Sequence, residues 1–145
     1  MLFRARGLHL DDRHLRHADG ASFSASIADA TLYLVGNHRR LREDHGASLV
    51  LYLPKIQTAE EAALWADLLA ASEDHLGLDR GTIKAYVLVE QLEATFQLME
   101  IRAALGRHFV GFNTGRWDYI NSVSDSLAWD KVRNTRNGTY LIEIW

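Results

Sequence analysis

Cysteine is absent from this 145-residue chain. Neither disulfides nor thiolate zinc sites are therefore available to it. The absence also suits a reducing, cytoplasmic setting. An excess of positive charge is lacking too, the formal net charge being -3. Nucleic-acid-binding surfaces normally carry a clustered basic excess, so nucleic acid is not an expected partner. The densest basic run, His38-Arg39-Arg40-Leu41-Arg42, is followed at once by Glu43 and Asp44 and reads as a solvated helix face. No stretch approaches the ~20 apolar residues that span a bilayer, and the N-terminus has no apolar signal core. A soluble intracellular chain without a membrane partner is expected. The seven His form no zinc-binding pattern: His9, His14 and His17 lie close together without completing an HExxH-type arrangement. His108, just before a strand, reads as structural, and no His is assigned to catalysis.

What is present is enough apolar material for one core. The hydrophobic fraction is 48% with four Trp, which argues for one folded domain rather than disorder. Strand-like and helix-like segments alternate. Met1 to Ala5 reads as a short strand. Ala25 to Asp44 has helical spacing, with Ile27, Leu32, Leu34, Val35 and Leu41 as its apolar side. Ser48 to Leu53 is a near-continuous apolar run, as expected of a strand covered on both faces, and Pro54 ends it. Thr58 is placed to cap a helix running to about His75 that buries Ala62, Leu64, Trp65, Leu68 and Leu69, with Gly77 as its stop. Thr82 to Glu90 is the next strand, Gln91 to Leu105 the next helix, and Phe109 to Phe112 a final short strand before the Gly115 turn. This order is the βαβ signature of a parallel sheet, either a (β/α) barrel or a doubly wound sheet. In both, functional residues collect at the C-terminal ends of the strands. Pro54-Lys55, Glu90 and the Asn113–Asp118 turn occupy such ends, and Arg4 sits at a fourth.

Glu90 closes an apolar strand, where a carboxylate needs a partner or a polar site. Taken alone it reads rather as a helix-start residue capping the Gln91–Leu105 helix, and Asp118, expected to be buried behind a Gly-centred turn, as a turn Asp satisfied by nearby amides. Together at one end of successive strands they suit a hard divalent ion such as Mg²⁺. Arg4 and Arg6 alternate as strand neighbours do, so one of them is a candidate to face an anion. The amides after Gly115 could add donors to the same anion.

The segments Arg4-Ala5-Arg6-Gly7-Leu8-His9-Leu10, Leu51-Tyr52-Leu53-Pro54-Lys55, Arg80-Gly81-Thr82-Ile83-Lys84-Ala85, Val87-Leu88-Val89-Glu90 and Gly115-Arg116-Trp117-Asp118-Tyr119-Ile120 resemble malate synthases of the bacterial and plant A type, collinearly from about residue 2 to about residue 129. The resemblance implies an α/β fold, part of a (β/α)₈ TIM barrel with about four βα units and parallel strands. It implies condensation of acetyl-CoA with glyoxylate to malate and CoA, a step of the glyoxylate cycle. Glu90 and Asp118 match the two Mg²⁺ ligands. Arg4 matches the catalytic Arg that stabilises the acetyl-CoA enolate and the glyoxylate oxygen, and Gly115, Arg116 and Trp117 match the turn that receives the glyoxylate carboxylate.

The chain also departs from that pattern. The family's general base is an Asp in a later segment than those matched here, and the segment that opens the barrel has no counterpart. Gln91 and Glu93 stand where Thr and Pro are usual, Asn121 where an aromatic is usual, and Ser124-Asp125 in place of Ile-Lys. Residues 1–129 are therefore expected to form a partial barrel domain, with 130–145 a divergent tail. A truncated malate synthase with little activity alone is the leading expectation. The alternatives are a non-catalytic remnant or assembly module, and a related Mg²⁺-dependent CoA-thioester lyase. A second copy or a complementary chain is the expected partner for the unpaired strand edges.

Overall fold

The computed structural model describes residues 2–129. Four strands, β1 (Phe3–Arg4), β4 (Leu49–Leu53), β5 (Ile83–Val89) and β6 (Phe109–Thr114), form one sheet in the order β1-β4-β5-β6 with every pair parallel. Each is followed by a helix: α1 (Ala25–Arg39), α2 (Ala59–Leu76), α3 (Leu98–Leu105) and α4 (Arg116–Ser126). This is a four-unit, parallel segment of a (β/α)₈ barrel, as expected. A hairpin, β2 (Asp11–Arg16) with β3 (Ser22–Ser24), interrupts the first unit and went unread in the sequence, because its polar residues carry no apolar alternation.

The core lies between the sheet and its helices. Leu49, Leu51 and Leu53 of β4 and Ile83, Ala85 and Val87 of β5 point to the helix side, against Tyr33, Leu34, Trp65, Leu69, Ile101 and Leu105. The opposite face, with Tyr52 beside Tyr86 and Gly111 in register, is only half-buried. The expected strand covered on both faces is therefore covered fully on one.

Helix α2 matches its sequence signals. The Thr58 hydroxyl accepts from the Glu61 amide at 3.3 Å and the Glu61 carboxylate accepts from the Thr58 amide at 3.4 Å, a reciprocal cap. Gly77 ends it with φ 65. Trp65 and Leu69 are buried, but Leu64 is exposed, since only one stripe of the helix meets the sheet. In α1 the buried side is Ala25, Ala28, Ala30, Tyr33 and Leu34, while Leu32 and Val35 face outward. Small alanines, not the larger aliphatics, allow this helix to approach the sheet. It gives way to a π turn at Arg40–Asp44, and Gln91 to Leu105 is likewise divided, into a 3₁₀ turn at Glu93–Phe96 and α3.

Buried Glu73 anchors the lower end of β5. Its carboxylate accepts from the amides of Gly81 at 2.9 Å and Ile83 at 2.8 Å, with His108 Nδ1 3.7 Å away. His108 Nδ1 also lies 2.8 Å from the Ile83 carbonyl, which accounts for a structural role.

Candidate active site at the upper rim of the sheet

Parallel strands bring their C-terminal ends to one rim. Arg4 ends β1, Pro54 and Lys55 follow β4, Glu90 follows β5, and Gly115 follows β6. Glu90 is buried, its side chain 1% exposed. Its Oε1 accepts a hydrogen bond from the Lys55 amide at 2.8 Å, so it does not cap its own following helix. The Arg4 guanidinium stands 3.8 Å from the same oxygen. Lys55 Nζ lies 2.9 Å from Asp118 Oδ1 and 4.0 Å from Glu90 Oε1, bridging the two carboxylates.

Gly115 permits this convergence. A Cβ there would meet Glu90 Cβ at 2.7 Å, Glu90 Oε2 at 2.8 Å and Leu88 Cγ at 3.2 Å. The Gly115 amide donates to the Val89 carbonyl at 2.9 Å, tying the loop to β5. Beyond it α4 begins at Arg116, and no side chain caps that end. The first amides of a helix have no partner within it and lie at its positive end. The Arg116 guanidinium sits 5.2 Å from the centre of the Trp117 ring.

Burial raises the pKa of Glu90 above its ordinary value, and contact with Asp118 raises it further, against the Lys55 amide that favours its charge. Asp118 moves the other way, held down first by the Lys55 ammonium and then by Glu90. Tyr52, on the sheet face away from the helices, is raised by burial, with Arg4 and a hydrogen bond from Asn113 opposing the shift. Two clefts flank Lys55. One, of about 240 Å³, is lined by Gln91, Glu93, Asp118 and Asn121, among others. The second, of about 280 Å³, is lined by His9, Gln57 and Glu61 among others.

The residues matched through the resemblance, Arg4, Glu90, Gly115, Arg116, Trp117 and Asp118, stand at this rim. One expectation needs correction. Asp118 is half-exposed rather than buried, because it lies in the first turn of α4 and not in a turn after a short strand. Of the two arginines, one of which was a candidate to face an anion, Arg4 stands at the rim and Arg6 turns away: its guanidinium bonds Asp29 at 2.7 and 2.8 Å and Asp12 at 2.8 Å, fastening β1 to α1 and the hairpin. Sequence reasoning left Lys55 without a role. Its signal was present, a cation placed directly after the proline that ends a central strand.

Two carboxylates, one wholly buried, form a donor set for a hard divalent ion, which takes one or two carboxylates and keeps several waters. Among the described residues no third His, Asp or Glu joins them, so the remaining ligands would be water or substrate oxygens. Residues 1–138 match the family model "Malate synthase, TIM barrel domain". The chain belongs to this family. Malate synthase A of Escherichia coli is 43% identical over 127 residues, 88% of this chain and 24% of that protein. The bifunctional glyoxylate cycle protein of Caenorhabditis elegans is 49% identical over 119 residues, 82% of this chain and 12% of that protein. The glyoxysomal malate synthase of Cucumis sativus is 40% identical, over 84% of this chain and 22% of that protein. The chain thus spans a quarter or less of the length of these relatives. A solved citrate lyase from Burkholderia xenovorans shares the fold, with TM-score 0.57 and 17% identity, over 99% of this chain and 37% of that one. Among the described residues no helix is long and apolar enough to cross a membrane.

Proposed function

We propose that this chain carries the glyoxylate-activating half of a malate synthase site, for condensation of acetyl-CoA with glyoxylate to malate and CoA. The observation behind this reading is the buried Glu90 carboxylate meeting Asp118 and Arg4 at one rim. Glu90 and Asp118 are the residues that would hold Mg²⁺, and their oxygen-only donor set suits it. The chemistry supplied by bound Mg²⁺ is Lewis-acid polarisation of the glyoxylate aldehyde.

The other roles belong to the chain itself. The amides at Arg116 and Trp117, at the start of α4, would receive the glyoxylate carboxylate. Gly115 keeps that helix end close to Glu90. Arg4 is the catalytic cation that offsets negative charge on the thioester oxygen as the acetyl methyl group loses its proton. A general base must take that proton, and none is assigned among the described residues. Residues 1–129 are read as the barrel domain, with 130–145 outside the described residues. Among the described residues β1 and β6 pair on one side only, which calls for a second copy or a complementary chain. The absence of cysteine supports a cytoplasmic setting.

Little or no malate is expected from acetyl-CoA and glyoxylate with the purified 145-residue chain. Malate should form when a separately produced remainder of the E. coli relative is added, and Asp118→Ala should remove it. Malate formation that survives Asp118→Ala would overturn the assignment.

A further inference from the structure

Lys55 has three properties that a rim lysine does not need for packing. Its backbone sits at φ 60, a left-handed conformation uncommon for a non-glycine residue. Its amide grips Glu90 at 2.8 Å while its ammonium reaches Asp118 at 2.9 Å and Glu90 at 4.0 Å. It also borders both clefts, so the ammonium has open space on two sides. Strained backbone is retained where the surroundings over-determine it, commonly at working sites.

From this placement we infer that Lys55 is the resident counter-cation of the Glu90–Asp118 pair, and that a divalent cation binds by displacing its ammonium into a neighbouring cleft. The inference rests on the proposed role of those two carboxylates. Its physical basis is that the ammonium already answers both carboxylates, beside the Arg4 guanidinium 3.8 Å from Glu90, and a divalent cation cannot use the same oxygens while the ammonium stays. The backbone amide of Lys55 keeps its hold on Glu90 throughout. The side chain therefore acts as a competitor, and the main chain as a positioning group.

The test is calorimetric titration of MgCl₂ alone at pH 8 into the full chain and into Lys55→Met, Lys55→Arg and Asp118→Ala. Lys55→Met should bind Mg²⁺ on the order of tenfold more tightly than the wild type, as expected when a nearby competing charge is removed. Lys55→Arg, which keeps the charge, should resemble the wild type. Equal or weaker binding by Lys55→Met, with Asp118→Ala still abolishing it, would overturn the competition and leave the carboxylate site standing. Binding indifferent to Asp118→Ala, or no binding by any variant, would overturn both. Amine labelling of the wild type, read by mass spectrometry, tests displacement without a variant. Mg²⁺ should raise labelling of Lys55 several-fold while Lys84, bonded to the Arg107 carbonyl at 2.7 Å, stays constant. Unchanged labelling of Lys55 at saturating Mg²⁺ would refute the displacement.

Discussion

Two residues decide whether the rim is a site or merely a polar edge. At Gly115 a single methyl group would meet Glu90 and Leu88 at 2.7 to 3.2 Å. Gly115→Ala should therefore cost about 1–3 kcal/mol in chemical denaturation, as overpacking does, and should weaken Mg²⁺ binding by moving Glu90. Glu90 is held in a setting that disfavours its charge, so its folded pKa lies above the ordinary value of 4.5. Stability associated with that shift is present below 4.5 and is lost as pH rises through the raised folded value. In metal-free buffer Glu90→Gln should raise the Tm at pH 7 to 8, and the gain should fade toward pH 4. A Tm lowered equally at both pH values would show that Glu90 acts as a structural anchor instead.

Individual elements show what the sequence revealed and what it could not. The strands after Ser48 and Thr82, the cap at Thr58 and the stop at Gly77 were legible because local chemistry sets them. Thr58→Ala should cost about 1 kcal/mol in denaturant melts, the usual value of a lost N-cap, without altering Mg²⁺ binding. Glu73→Ala should cost about 2–4 kcal/mol, because it leaves two amides at the base of β5 without their acceptor. That residue was unread, since its partners lie across a turn that spacing does not reveal. The same limit hid the outward turn of Leu32 and Val35, where the choice of buried face depends on how closely α1 approaches the sheet. It also hid the helical setting of Asp118, because a Gly-Arg-Trp-Asp run signals a turn as readily as a helix start. The candidate site residues were legible through the strand-end rule and the family resemblance. Lys55 needed the three-dimensional pairing.

Across the whole molecule, charge and sheet edges set the behaviour. The Leu15 amide first, then Arg6 and the His14 amide, hold Asp12 below the ordinary carboxylate range, and Arg6 holds Asp29 down as well. This stability is fully present above the ordinary value of 3.8 and is lost as pH falls through the depressed folded values. Arg6→Ala should accordingly lower the Tm at pH 7, with the difference from wild type shrinking in strong acid. Among the described residues β1 and β6 each pair on one side only, and Phe96, Met99 and Val110 are exposed. Unpaired parallel edges invite association. Sedimentation should show concentration-dependent self-association of the chain, reduced by Val110→Lys on β6. The central claim is that Glu90 and Asp118 form one cation site that receives glyoxylate. It is tested most directly by titrating glyoxylate, in the presence of Mg²⁺, into wild type and Asp118→Ala by calorimetry. Mg²⁺-dependent binding by the wild type, abolished by Asp118→Ala, is the expected result. Binding that is unchanged by Asp118→Ala, or no binding by a folded wild-type chain, would contradict it.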